Sequence, residues 1–541
     1  MAARSCAVGG DGGRIASAAA AAAAAAAVAA GARMPRVSLR RGLLYLSAAT
    51  TCSLLVVTVH QPGTAWLSPA PPPSQLTLPR APHLDHPVLE LDDAAEARPS
   101  ADGDGDADGD EQSVARALLP MPRPRPLLNV TLTTLPPEQR PWYLWGGRQR
   151  PEVPADSDQW TRTASLWPDE DSGDRIVEQL MFRPPLPPPL EDHPDPAAPD
   201  RAPPTSKKIL MYNGMNSWGL KAGRGQFLKL RCPVDTCVLT GSRSELTTAD
   251  AILFKDHFSM PPHARDPRQV WVMFMLECPL HTQHFTNRDV FNWTATYRHD
   301  SDIVAPYEKW VYYDPAVRQK PQEVSYAANK TKQVAWFVSN CGARNNRLQY
   351  AKELAKYIGV DIFGACGTKR CPRSNSARCF QMLNKDYKFY LAFENSNCRD
   401  YITEKFFVNG LRGLPKQTSH HILPIVMGAH PDDYAHQAPE KSYIHVDDFD
   451  SPKDLADYLH LLDQNDDLYN EYFRWKGTGE FINTYFMCRL CGLLHDEGHQ
   501  QHYEDINHWW RGGGTCISGS WRKYDRFKQE SEKKKKAPGS R

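Results

Sequence analysis

Apolar positions fall into three regimes along the 541 residues. Residues 42–59 form one apolar run without a charged side chain. Residues 60–205 are sparsely apolar and broken by proline. From about Lys207 to Arg522, short apolar runs alternate with polar loops and helical patterns.

The third regime predicts most of the regular structure. Its first half offers strands over 209–212, 251–254 and 270–276. Its second half offers strands over 334–338, 360–363, 387–393 and 422–427, alternating with helices over 347–358, 402–411 and 452–463. Continuous apolar strands between helices predict α/β structure with parallel sheets buried on both faces. The two halves, 206–325 and 326–523, predict two Rossmann-like, doubly wound lobes facing a cleft. Ligands of such sheets sit at the carboxyl ends of the strands. Residues 524–541, with Lys533 to Lys536, read as a basic, disordered tail.

The run at 42–59 spans about 27 Å as a helix, enough for a thin bilayer. Arg33, Arg36, Arg40 and Arg41 precede it, and no Lys or Arg follows until Arg80. That asymmetry predicts a cytosolic tail over 1–41, a single transmembrane signal anchor over 42–59, and everything later across the membrane. A cleaved signal peptide would have a shorter apolar core and a clearer small-x-small site. Met34 stands directly before this module, so residues 1–33 read as an upstream extension.

Composition changes the picture in the middle regime. Proline numbers 45, about 8% against a usual level of about 5%, and the excess lies in 60–205. Such a stretch cannot bury enough apolar surface to offset its ordering entropy, so it predicts a disordered, semi-extended stalk. The aspartate run Asp102 to Asp110 does not complete a calcium loop, because Ala115 occupies the position of the bidentate Glu. With 64 basic and 63 acidic side chains, the net charge of +1 excludes a strongly basic nucleic-acid binder.

Asn129, Asn292 and Asn329 each begin an Asn-x-Thr acceptor for lumenal glycosylation. Eleven cysteines follow the stalk. In an oxidising lumen they read mostly as disulfides, and an odd number leaves at least one thiol unpaired within the chain. The Cys488-Arg-Leu-Cys491 pair has no second matching pair to build a zinc site, which favours disulfides there too.

Two segments carry candidate chemistry. In Met275-Leu-Glu-Cys-Pro-Leu-His-Thr282 a carboxylate, Glu277, ends an apolar strand beside the expected cleft. It suits a general base whose pKa is raised by partial burial; spacing alone does not separate that from a carboxylate capping the next turn. In Phe389-Tyr-Leu-Ala-Phe-Glu-Asn-Ser-Asn-Cys-Arg-Asp-Tyr-Ile-Thr-Glu-Lys405 a strand enters a polar loop and then a helix. A helix start favours anions, Lys405 adds a positive charge for phosphate, and Glu404 can accept from sugar hydroxyls. The loop 339–347 makes the same move with Arg344 and Arg347, residues suited to a diphosphate. Neither loop has the glycine pattern of a dinucleotide or Walker site. His281 and His284 lack the His-Glu-x-x-His arrangement of a zinc hydrolase and read as polar packing near the cleft, whereas Asp300 and Asp302 lie away from the phosphate-like loops and read as structural or acceptor contacts.

These segments, in this order, resemble the α-1,3-fucosyltransferase family. The resemblance rests on Glu277-Cys-Pro-Leu-His281, Tyr297-Arg-His-Asp-Ser-Asp-Ile303 with Pro306-Tyr307, Val338-Ser-Asn340, and Phe393-Glu-Asn-Ser396 through Tyr401-Ile-Thr-Glu-Lys405. It continues through Ile425-Val-Met-Gly428, Tyr443-Ile-His-Val446 and Trp475-Lys-Gly477, covering about Lys207 to Trp521. It implies a two-lobed GT-B fold, no obligatory metal (with Mn2+ at most a stimulant), and inverting transfer of L-fucose from GDP-β-L-fucose. By the same resemblance Glu277 matches the general base, and Arg347, Tyr401, Glu404 and Lys405 match donor-binding positions. Tyr307, Glu394 and Asn395 sit in motifs near the donor. Anchor and stalk resemble Golgi members of the family, implying a type II Golgi membrane protein with a lumenal catalytic region.

Cys278 stands where vertebrate Lewis-type members usually carry serine, and the cysteine-rich end resembles insect and plant core enzymes. That implies N-glycoprotein acceptors, fucosylated in α-1,3 linkage on the innermost GlcNAc. Transfer to outer GlcNAc, or glycan binding without turnover, are the rival readings. One departure from the family pattern is the segment 412–421, which is several residues longer than expected.

Overall fold

The computed structural model describes residues 135–152, 166–168, 174–184, 206–413, 420–496 and 498–536. The anchor at 42–59 and Asn129 lie outside them. Among the described residues no helix is long and apolar enough to cross a membrane.

Five parallel strands build the first sheet: β1 (Lys207–Met211), β2 (Cys237–Thr240), β3 (Ala251–Lys255), β4 (Val270–Met275) and β5 (Trp293–Thr296), ordered β2-β1-β3-β4-β5. The chain leaves through β6 (Lys309–Tyr312) and enters a second sheet. There β7 (Lys332–Phe337), β8 (Val360–Phe363) and β9 (Tyr387–Phe393) are followed by a two-residue β10 (Asn397–Cys398), then β11 (Leu423–Met427) and β12 (Ile444–His445). The second sheet is ordered β12-β11-β9-β7-β8 and is also all parallel. Strand β13 (Gly479–Ile482) pairs antiparallel with β6, and β14 (Cys516–Ile517) with β10.

The predicted strands stand within about two residues of their expected ends. β2 and β5 were not predicted, because Cys-Val-Leu-Thr and Trp-Thr-Ala-Thr are too short and mixed to stand out. β9 is the clearest case: all seven residues of Tyr-Lys-Phe-Tyr-Leu-Ala-Phe are buried, as a central parallel strand requires. Its one charge, Lys388, is tolerated because its Nζ reaches Asp463 and Asp466 at 3.1 Å each.

Both sheets share one topology, with the first strand of each lying between its second and third. The direction of winding therefore reverses between β1 and β3, and again between β7 and β9. Loops leaving such neighbours diverge and open a crevice at the carboxyl edge. This places residues 338–346 and 394–403, the two polar loops singled out in the sequence, side by side at the crevice of the second sheet.

Three expectations change. Parts of the expected stalk belong to the folded core: Trp142, Tyr143, Leu166 and Trp167 are buried against the first sheet, and the helix Arg175–Leu180 adds Ile176 and Leu180. Proline content hid them, since the tryptophans are scattered singly. The chain also does not stay with the second sheet after crossing to it. The helix Phe486–Leu494 packs back on the first, held by the disulfides Cys232–Cys488 and Cys237–Cys491, and Trp510 follows. The tail is helical over Trp521–Lys536 rather than disordered. Its Lys, Arg, Glu and Gln are good helix formers, and Trp521 anchors its start by donating to Gly428 O at 2.9 Å.

The predicted helix 402–411 begins at Glu404 with Thr403 as its cap, and Phe407–Arg412 is wound as a π-helix. Gly410 is required there, because a Cβ would lie 2.9 Å from the Pro424 ring of β11. The longer-than-family segment follows directly, and its residues 414–419 lie outside the described set.

Lys476 is a buried cation with no hydrogen-bond partner for its Nζ among the described residues. The Trp475 ring centroid is 4.7 Å away, with Tyr326 and Phe473 at 5.7 and 5.9 Å. The titratable groups coupled to its charge, His420 and His421, are both basic. Burial lowers its pKa from 10.5 to about 7. The unfolded chain thus holds a proton that the folded chain gives up between those values, so stability at this site falls as pH drops through that window and is level below it. Lys476→Met is expected to stabilise the protein at neutral pH by about 1–4 kcal/mol. The gain should shrink toward zero near the upper end of the window, which melts of both proteins at neutral and alkaline pH would check.

Candidate active site

The apolar run of β4 ends at Met275, and Glu277 is the first ionisable side chain beyond it. Pro279 cannot donate to a ladder, and the chain turns through the short helix Pro279–His281. Glu277 therefore stands at the carboxyl edge of the first sheet, its side chain 45% exposed. Its Oε1 accepts three hydrogen bonds: from the Tyr401 hydroxyl at 2.6 Å, the Cys278 amide at 2.9 Å and the Asn395 amide at 3.2 Å. Oε2 has no protein donor among the described residues. Glu277 does cap its own turn, but two of its three donors come from the second sheet's crevice loop.

Those donors reverse the expected pKa. Burial pushes the Glu277 carboxyl up, but the bonds from Tyr401, the Cys278 amide and Asn395, with the field of His281, hold it below its ordinary value. The group is ionised at neutral pH, with Oε2 as its open acceptor. Burial alone, the basis of the sequence expectation, omits donors that arrive from more than a hundred residues away.

The second sheet's loops are built around a wholly buried carboxylate, Glu394. It accepts from the Thr403 amide at 2.9 Å and hydroxyl at 2.8 Å, and pairs with Lys405 Nζ at 2.9 Å. Lys405 also reaches Thr403 Oγ1 at 2.8 Å and Glu404 at 3.2 Å. Burial disfavours the ammonium, yet Glu394 and Glu404 outweigh it and raise the Lys405 pKa. Burial raises the Glu394 carboxyl. Glu404 itself is 44% exposed at the first turn of its helix, open to a ligand.

Arg347, expected at the donor diphosphate, makes main-chain bonds in this structure. It is buried, donating from Nη1 to Phe393 O at 2.6 Å and from Nη2 to Asn340 O at 3.2 Å. Its guanidinium ties the loop after β7 to the end of β9. Arg344, by contrast, is exposed in the same loop. Tyr307 donates to Leu276 O at 2.9 Å and so braces the backbone just before Glu277. Asn395 keeps a buried Oδ1 without a partner among the described residues.

The aspartate pair and the histidine pair take different places. Asp302 is fully buried, accepting from the Thr294 amide and hydroxyl and from Tyr503 at 2.7–2.8 Å, a structural role. Asp300 pairs with Arg298. His281 lies 3.7 Å from Glu277, while His284 is exposed.

Sequence reasoning missed four features of the site. Cys278 Sγ contacts Ser396 Oγ at 3.2 Å across the two halves. Asn345 donates to Glu394 O and Asn397 Oδ1, both at 2.9 Å. His299 pairs with Asp400 at 2.6 Å. Disulfides Cys341–Cys366 and Cys398–Cys516 staple both crevice loops. The signal for the staples was present, since Cys341 and Cys398 lie inside the two polar motifs.

Residues 204–308 match the family description "Fucosyltransferase, N-terminal", and residues 327–509 match "Glycosyltransferase family 10 (fucosyltransferase) C-term". Glycoprotein 3-alpha-L-fucosyltransferase A of Drosophila melanogaster is 53% identical over 401 residues, 72% of this chain and 76% of the relative. Alpha-(1,3)-fucosyltransferase C of Drosophila melanogaster is 35% identical over 311 residues, 52% of this chain and 71% of the relative. A crystal structure of an alpha1,3-fucosyltransferase with GDP-fucose is 16% identical, with a TM-score of 0.37, covering 56% of this chain and 93% of that one. The site is thus that of a sugar-transferring enzyme. The chain belongs to glycosyltransferase family 10, the fucosyltransferases.

Proposed function

We propose that the protein is an inverting glycoprotein 3-α-L-fucosyltransferase of GT-B architecture, moving L-fucose from GDP-β-L-fucose to O3 of the innermost, asparagine-linked GlcNAc of N-glycans. The observation that carries this reading is the meeting of Tyr401 and Asn395, from the second sheet's crevice loop, with Glu277 of the first sheet. Donor and acceptor held on the two sheets would come together at that carboxylate.

In the reaction, the acceptor O3–H bonds to Oε2 of Glu277. Its oxygen attacks the anomeric carbon of fucose, the bond from that carbon to the diphosphate breaks, GDP departs, and Glu277 takes the proton. Lys405, the helix start behind it and the exposed Arg344 supply positive charge for the leaving diphosphate. Arg347 and Glu394 are positioning residues that hold the loops around it. Tyr307 holds the Glu277 backbone, and Glu404 is placed to accept from sugar hydroxyls. No metal ligand set is needed for these steps, and manganese would act as a stimulant from outside them.

The Drosophila melanogaster relative that is 53% identical, named as a glycoprotein enzyme, supports the core acceptor. The five disulfides support an oxidising lumen, and the arginine-flanked apolar run at 42–59 supports a type II Golgi anchor. The full-length protein, given GDP-fucose and a core N-glycan glycopeptide, should place fucose on the innermost GlcNAc. Product confined to antennae would favour the Lewis-type reading, and glycan binding without product would favour a non-catalytic homologue.

The lumenal reading also separates the described sequons. Asn329 is exposed at a turn with φ 63°, free to carry a glycan. The Asn292 carboxamide is engaged: Oδ1 accepts from the Trp271 amide at 2.9 Å and Nδ2 donates to Gln501 O at 3.0 Å. Asn329→Gln should therefore shift the electrophoretic mobility to that of a protein lacking one glycan, whereas Asn292→Gln should leave the glycan number unchanged and lower the melting temperature.

A further inference from the structure

We propose that Glu277, Cys278 and His281 form a binding site for zinc or a similarly thiophilic divalent cation, and that loading it blocks transfer. Five disulfides consume ten of the eleven described cysteines, and Cys278 is the one left as a thiol. Among the described residues no other sulfur is free to pair with it. Its Sγ lies 3.3 Å from His281 Nδ1, and that nitrogen lies 3.7 Å from Glu277 Oε1. All three ligand atoms lie within 4.8 Å of one another.

These separations fit a tetrahedral ion. Bonds of about 2.3 Å to sulfur and about 2.0–2.1 Å to nitrogen and oxygen set S···N near 3.6 Å and N···O near 3.4 Å. The ligand types, a thiol, an imidazole and a carboxylate, are those zinc takes. Proline at 279 fixes the turn that brings 277, 278 and 281 together. The carboxylate and imidazole are part-exposed and form the mouth, while the buried thiol forms the floor. Of the other described cluster, Cys237 and Cys491 are joined in a disulfide, which removes them as ligands.

On loading, the Sγ–H bond breaks, a bond from sulfur to the metal forms, and the proton passes to solvent. The fourth coordination position faces the mouth, where the acceptor hydroxyl would enter. Inhibition rests on the reading of Glu277 as base, since a cation bound through Oε1 draws charge from the carboxylate and lowers the basicity of Oε2. The site itself does not rest on that reading.

The test uses the full-length protein with cobalt(II) as spectroscopic probe and zinc as inhibitor. Cobalt should give the intense near-ultraviolet absorption of a thiolate–cobalt bond, and Cys278→Ser should abolish it. Zinc should inhibit fucosyl transfer, and Cys278→Ser, measured against its own zinc-free rate, should require at least about tenfold more zinc for the same fractional inhibition. His281→Gln should show the same shift by an independent ligand. Absence of the cobalt band, or equal zinc sensitivity in the wild type and both variants, would overturn the site. A cobalt band without zinc inhibition would overturn the blocking role. Failure of Glu277 as base would appear separately, as turnover surviving Glu277→Gln.

Discussion

Glu277→Gln should lower the turnover of fucosyl transfer by about 10²–10⁴-fold, the usual worth of a positioned general base, while GDP binds as it does to the wild type. Glutamine keeps the size of the side chain and an oxygen to accept from Tyr401, the Cys278 amide and Asn395, so the crevice loop stays anchored. What it loses is the capacity of Oε2 to take a proton. The donor is expected to contact the second sheet's loops, so its affinity should not change. Turnover measured at saturating GDP-fucose, beside calorimetric GDP affinity, separates these effects. Wild-type turnover in the variant would remove Glu277 from the chemistry.

Lys405→Ala carries the second large effect, through stability first. The Lys405 ammonium is the only cation paired with Glu394 among the described residues, and Glu394 is fully buried. Removing it leaves a buried carboxylate held by Thr403 alone, a loss of about 3–5 kcal/mol by analogy with other broken buried pairs. The loop 394–403 should loosen and GDP affinity fall. Pairing Lys405→Ala with Glu394→Gln removes both charges and should restore most of the melting temperature. If Lys405 also binds the diphosphate, the double variant will still bind GDP about 10–150-fold more weakly, corresponding to about 1.5–3 kcal/mol for a charge-assisted hydrogen bond. Wild-type GDP affinity in the double variant would confine Lys405 to holding the loop.

Legibility in the sequence followed the range of the interaction. β9 and the string from Phe389 to Lys405 were readable because burial on both faces and a polar loop at a strand end are local properties. The expected base, Glu277, was readable as a carboxylate at the end of an apolar strand. Its depressed pKa was not, since Tyr401 and Asn395 lie 124 and 118 residues away in sequence. Arg347 was legible as an arginine in the right loop, but whether its guanidinium faces a ligand or main-chain carbonyls depends on how two loops pack. The packed segments at 135–152 and 174–184 were obscured by prolines around them. The identity of the disulfide partners needed the fold.

The pairing of Cys232 with Cys488 and Cys237 with Cys491 spans 256 and 254 residues, and it sets an order of events during synthesis. At about 5–20 residues per second, the two early cysteines emerge some 13–50 s before their partners exist. They must stay reduced, or be parked in bonds later exchanged, while Cys341, Cys366, Cys371 and Cys379 pass by. The sheet that bears Glu277 is thus started first and sealed last.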